Sequence, residues 1–218
     1  MTYLIVVVIA LGIALAWYLA SIRRKKLRAW ANGSGFRFDP SPNRSFDKRY
    51  PAFGCLRVGH SRYAYNVAEG TRNGRPLVAF DYRYVIGSGK NRQVRNFSGL
   101  LLGSTIRLKP LHIRSENLFD KVGEFFGLDD IDFESAEFSR AFHVKSPDKR
   151  WTYDVLHQRT IEFLLTMPRF SIQFGEREMI VWRSRRFSPE TFEAAIGVAE
   201  GILDRLPEYV IQEQGGKR

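Results

Sequence analysis

Hydrophobic and polar positions change character abruptly after residue 22. Residues 2–22 read TYLIVVVIALGIALAWYLASI and carry no charge. This run of 21 residues, at a helical rise of about 1.5 Å each, spans about 30 Å, the depth of a bilayer's hydrocarbon core. A helix apolar on every side has no polar stripe to show water, so the pattern predicts a transmembrane span. Tyr3 sits at one end, with Trp17 and Tyr18 near the other, where amphipathic rings favour the interface. Arg23, Arg24, Lys25, Lys26 and Arg28 follow at once, and no cation precedes the run. The positive-inside rule then predicts an outside N-terminus at the cell membrane and a cytoplasmic soluble part. A cleaved signal peptide is the weaker reading. Ala14-Leu15-Ala16 would pass as a cleavage site, but a basic leader is missing and the cations follow instead.

Beyond the span, Gly33, Gly35, Pro40 and Pro42 interrupt any periodicity. These breaks divide the chain into an anchor with its basic flank (1–28), a juxtamembrane linker (29–50), a soluble α+β domain (51–212) and a flexible tail (213–218). Within the domain, residues 60–107 predict an antiparallel meander. Tyr63, Tyr65 and Val67 alternate with small or polar positions, and Asn73-Gly74 marks a hairpin. A strand over 77–86 puts Phe80, Tyr82 and Tyr84 on one face and Asp81 on the other. A turn at 87–91 leads to a longer strand over 94–108, with Gly99 and Gly103 as bulge positions. A short fourth strand is expected at 111–114. Leu118, Phe119, Val122, Phe125 and Phe126 recur at helical spacing. A strand at 142–144, a helix over 148–167 and a hairpin pairing 170–174 with 179–182 follow. Ser188 as N-cap and Pro189 in the first turn open a final amphipathic helix, which Pro207 stops. Strands in runs rather than strict alternation with helices favour α+β over α/β.

Charge sharpens this picture. Lys and Arg number 34 against 23 Asp and Glu, a net +11. Residues 23–28 carry +5, residues 29–115 another +11, residues 116–138 carry −7 and residues 139–218 only +2. The excess lies beside the span, where anionic leaflets attract each Lys or Arg by about 1 kcal/mol. Lipid therefore explains the basic half better than nucleic acid, for which no finger, basic helix or aromatic RNA motif is present. Gly12, Ala16 and Ala20 fall on one helix face and offer a route to a weak homodimer.

Complete catalytic motifs are missing. GSGK at 87–90 lacks the first glycine of a phosphate loop, since Tyr84 stands there, and Asn91 replaces its Ser or Thr. Lys90, Arg92 and Arg95 nonetheless suit contact with lipid phosphates. Asp130, Asp132 and Glu134 alternate, yet Ser135 and Ala141 stand where a calcium loop needs glycine and an acid. His60, His112, His143 and His157 lack metal-ligand spacing, and Cys55 is alone, so no metal and no cofactor is expected. One acid stands out. Asp81 lies in a strand between two aromatics and, if its face is covered, needs a partner such as Arg62, Arg75 or Arg95. A functional carboxylate remains the alternative to a structural pair.

Four stretches, NVAEGTRNGRPLVAFDYRYVIGSGKN (66–91), IDFESAEFSRAFHV (131–144), YDVLHQRTIEFLL (153–165) and LDRLPEYV (203–210), together resemble a prokaryotic family of membrane-anchored proteins. The resemblance implies one N-terminal transmembrane helix and a soluble domain with no assigned activity, so it carries over no catalytic residue. The leading expectation is a binding or scaffold module at the membrane surface, with lipid and a protein as partners. A membrane-tethered hydrolase-type enzyme and a nucleic-acid or nucleotide binder are the alternatives.

Overall fold

In the computed structural model, which describes residues 2–115 and 128–215, a long N-terminal helix leads into one antiparallel sheet clad by helices. Helix α1 (Thr2–Gly33) continues without a break past the basic cluster. Its apolar portion is long enough to cross a membrane, and none of it is buried against the rest of the protein. The other elements are β1 (Arg37–Asp39), α2 (Phe46–Arg49), β2 (His60–Arg72), β3 (Arg75–Ile86), β4 (Gln93–Gly103), β5 (Leu111–Ser115), α3 (Ala136–Ala141), β6 (Phe142–Lys145), α4 (Lys149–Val155), α5 (Gln158–Thr166), β7 (Ser171–Phe174), β8 (Glu178–Arg183), α6 (Pro189–Leu203) and α7 (Glu208–Gly215). The strands form a single sheet in the order β1-β2-β3-β4-β8-β7-β5-β6. Every pairing is antiparallel, so the α+β class expected from the pattern is the one observed.

Strand alternation gives the sheet two buried faces. On one, Leu77, Ala79, Leu100, Leu102 and Val181 pack against the stripe of α6 and against Leu27 and Ala31 of α1. On the other, Phe80, Tyr82, Phe97, Ile180 and Trp182 meet Phe46, Tyr50, Phe53 and Leu56. Tyr84 packs against that second core, so the three aromatics of β3 share a face as their spacing predicts.

Several expectations need correction. The stretch 29–50 is not a bare linker: it holds the end of α1, β1 and α2, and it contributes Ala31, Phe36, Phe46 and Tyr50 to the two cores. Gly99 and Gly103 are not bulges, because β3 and β4 pair without a register break from Leu77↔Leu102 to Ile86↔Gln93. At Gly99 a side chain would meet the Phe80 ring, a Cβ there lying 2.9 Å from its tip. The bulges lie in β2 instead, between His60 and Tyr63 and between Tyr65 and Ala68. The second carries Asn66 at φ 50°, which inverts the alternation so that Val67 joins the aromatic core and not the face of Tyr63 and Tyr65. Strand β4 ends at Gly103 rather than near residue 108. The helix expected over 148–167 is two, α4 and α5, separated where the His157 ring donates to the Arg205 carbonyl at 2.8 Å. Helix α7 follows Pro207 and runs into the expected tail. The helix expected from Leu118 to Phe126 lies outside the described residues.

Candidate functional site

The feature that organises the protein lies where α1 crosses the sheet. Arg23, Leu27, Trp30 and Ala31 fall on one side of the helix by their i, i+4, i+7 spacing. Leu27 and Ala31 are buried, and Trp30 stacks on Phe192 at 5.0 Å between centroids while its indole N–H donates to Glu193 at 2.8 Å. One turn nearer the apolar run, Arg23 folds into the sheet. Its Nε donates to Asp81 Oδ2 at 2.9 Å and its Nη2 to Asp81 Oδ1 at 2.6 Å, a two-pronged pair. Its Nη1 donates to the Phe187 carbonyl at 2.8 Å, just before α6.

Asp81 is fully buried, and both of its oxygens are further occupied. Asn66 Nδ2 donates to Oδ2 at 2.9 Å, and Ser98 Oγ donates to Oδ1 at 2.5 Å. The bulge in β2 is what aims Asn66 at this carboxylate, a use of bulges that regular strands cannot match. Ser98 stands opposite Asp81 in the ladder, and its Oγ accepts from the Phe187 N–H at 2.9 Å. Charge-assisted, bidentate contacts of this type are among the strongest available to side chains. Tyr65, the β2 neighbour of Asp81, is pushed up to about 12, first by burial and then by the Asp81 charge. The Asp81 charge is thus balanced by Arg23 and held by two neutral donors, and among the described residues its hydrogen bonds involve no histidine and no second acid.

Arg62, Arg75 and Arg95 do not reach Asp81. Arg62 pairs with Asp47 at 2.9 Å, Arg75 with Asp204 at 2.8 Å, and Arg95 donates to Gln93 at 2.6 Å. By its place in the basic flank Arg23 is expected to face lipid along with its neighbours; instead it is paired with Asp81. Of these neighbours, Arg24, Lys25, Lys26 and Arg28 are exposed, and Arg28 lies over the Phe38 ring at 5.6 Å. Lys90 and Arg92 project from the turn between β3 and β4, whose Gly87 and Gly89 take positive φ. Gly12 has open space around it, and Ala16 and Ala20 lie on the exposed part of α1.

The histidines are dispersed. His60 bonds Ser61 and the Gly87 carbonyl, His143 faces Asp130 at 3.1 Å, and His112 stacks on Trp182 at 5.6 Å. Burial, followed by the charges of Arg114 and Lys145, lowers His112 to about 4. Among the described residues no group of three or more His, Cys, Asp or Glu is placed to hold a metal. A cleft of about 450 Å³ opens at the opposite end of the sheet from Arg23, beside the turn between β7 and β8. Leu108, Pro110 and Phe174 line it, with Lys109 and Arg107 at its wall. Both cations are paired there, Lys109 with Asp148 at 2.8 Å and Arg107 with Glu176.

No protein-family model matches the chain, and no curated protein matches its sequence. Among solved structures, the chain is similar to the crystal structure of the mycobacterial trehalose monomycolate transport factor A, TtfA. The likeness has a TM-score of 0.65 at 14% identity and covers 84% of this chain and 96% of that one. At this identity it is a likeness of fold.

Proposed function

We propose that this chain is a membrane-anchored binding module whose cytoplasmic α+β domain is held in a fixed posture at the bilayer surface. The observation that carries the reading is the buried Arg23–Asp81 pair. The residue that ends the apolar span is the residue that locks the helix to the sheet, so the domain is no ball on a string. Asp81 serves this lock: both oxygens are taken by Arg23, Asn66 and Ser98. That leaves no free lone pair facing a cavity, which supports binding over catalysis. The lined cleft at the far end of the sheet supports a partner or ligand held away from the membrane. The fold shared with a transport factor supports the same class of role.

Two measurements on the full chain test it. A reporter fused after Arg218 is expected on the cytoplasmic side, and an extracytoplasmic signal overturns the topology. In nanodiscs, amide exchange over 24–36 is expected to be as slow as in β3 and β4. Exchange at the rate of an open linker overturns the fixed posture.

A further inference from the structure

We propose that the end of the sheet beside Arg23 is a docking face for anionic lipid headgroups, with Arg44, Arg83 and Arg186 as its phosphate-binding guanidinium groups. The inference rests on the preceding reading of α1 as a span, and it adds the ligand class and the residues that take it. Its first support is direction. Moving along α1 from Trp30 to Arg23, the contacts pass from Glu193, which also holds Arg72 beside Arg75 at the start of β3, to Phe187 and to Asp81 farther along β3. The apolar end of the helix and the far end of β3 therefore point the same way. Strand β3 runs on from Asp81 to Ile86, about 16 Å at ordinary strand rise. The headgroup layer of one leaflet is only about 5–7 Å deep. A charged strand tip does not enter hydrocarbon, so this end of the sheet faces the headgroup layer, at a closeness set by the tilt of α1.

The second support is unbalanced charge. At the opposite end, Arg72 pairs with Glu193, Arg75 with Asp204, Arg107 with Glu176 and Lys109 with Asp148. At the end near Arg23, no carboxylate pairs with Arg44, Arg83 or Arg186 among the described residues, nor with Lys90, Arg92 or Arg95. Of the described acids at that end, Asp81 is paired with Arg23 and Asp47 with Arg62, while Glu190 at the start of α6 faces Ser188 and Lys26 and not the three arginines.

The third support is preorganisation. The rings of Tyr63 and Tyr65 lie 5.8 Å apart. Arg44 and Arg83 sit over the Tyr63 ring at 5.6 and 5.5 Å, and Arg186 over Tyr65 at 6.0 Å. Guanidinium groups stacked on aromatic faces keep their N–H edges free, and those edges match phosphate oxygens two at a time. Lys90 and Arg92, in the turn between β3 and β4, and Arg95 add reach without stacking, and half-exposed Val94 lies between them.

The experiment places the full chain in nanodiscs, with a fluorophore on Asn91→Cys and a trace of lipid carrying a quencher on its headgroup. Discs of phosphatidylcholine alone are compared with discs holding about 30% phosphatidylglycerol. Strong quenching is expected only in the anionic discs. Each nearby cation is worth roughly fivefold in lipid association, so Arg44→Ala, Arg83→Ala and Arg186→Ala together should weaken anionic-lipid preference on the order of a hundredfold. Equal quenching in both discs, or quenching unmoved by the triple variant, overturns the docking face. An RNA oligonucleotide that binds in neutral discs and depends on the same three arginines overturns the choice of lipid. Alkaline extraction separates the two levels of failure. A chain that washes out of the discs refutes the span itself, whereas a retained chain without anionic preference refutes the docking face alone.

Discussion

Replacing Arg23 by Met tests the link between span and sheet most directly. The change keeps much of the stem's volume and removes the charge. It leaves the Asp81 carboxylate fully buried with only Asn66 and Ser98 as donors. Breaking a buried ion pair from one side costs about 3–5 kcal/mol, because the remaining charge has no counterpart. The lower half of that range applies here, since the Arg23 side chain keeps 20% exposure and so gives up less on pairing. For a soluble part of this size each kcal/mol shifts the midpoint by about 2–4 °C, so Arg23→Met should lower Tm by roughly 10 °C. Asp81→Asn should cost less, about 2 kcal/mol, because Arg23 keeps the Phe187 carbonyl and can turn its charge to water.

The decisive arms are a neighbour and a double variant. Arg24→Met removes the same charge one residue away, on an exposed side chain, and should stay within about 0.5 kcal/mol. The pair Arg23→Met with Asp81→Asn removes the stranded carboxylate and should recover at least about 1 kcal/mol relative to additivity. The assay is thermal unfolding of the full chain in one detergent, with amide exchange over 24–33 as the local readout. An Arg23→Met protein as stable as Arg24→Met, or a strictly additive double variant, refutes the lock.

Two further outcomes follow from burial. His112 titrates near 6.5 in the unfolded chain but is lowered to about 4 in the fold. The unfolded state takes up the proton first, so stability should fall as pH drops from about 6.5 to 4, by roughly 3 kcal/mol in all. His112→Gln should flatten urea midpoints across that window, and an unchanged pH slope refutes the assignment. In α6, Gly197 and Gly201 should respond oppositely to alanine. A Cβ at Gly197 meets only Met167 at 3.6 Å, so Gly197→Ala should gain about 0.5–1 kcal/mol from helix propensity. A Cβ at Gly201 would overlap the Phe163 ring, so Gly201→Ala should lose about 1–3 kcal/mol, and the same sign at both sites in denaturant unfolding refutes the packing of α5 on α6.

The local signals read from the sequence are those the fold keeps. Asn73-Gly74 does join β2 to β3, Ser188 does cap α6 by accepting from the Thr191 N–H, and Asp81 does face away from Phe80 and Tyr82. What the sequence hid depends on contacts between distant residues. Whether a strand alternates evenly depends on its partners, and Asn66 breaks the alternation to satisfy Asp81, 15 positions away. The division of one apparent helix at His157 depends on a carbonyl at Arg205. Gly99 read as a bulge because glycine weakens a strand, yet its lack of a side chain is taken up by the Phe80 ring across the ladder.

Arg23 shows why the site itself was the hardest part to read. By composition it is one of five adjacent cations, all suited to headgroups. Helical geometry separates it from the other four. Arg23, Leu27 and Ala31 recur at four-residue spacing, and that stripe crosses the boundary at which the apolar run ends. A basic flank that only met lipid would have no reason to continue in step with Leu27 and Ala31, both buried in the sheet's core. The stripe therefore makes the span and the first packed element of the domain one continuous helix. On the proposed reading of α1 as a span, a tilt of that helix in the bilayer would move the sheet with it. On that reading, strand β3 beyond Asp81 would act as a lever arm, and the charge at its tip would set which tilts the headgroup layer accepts.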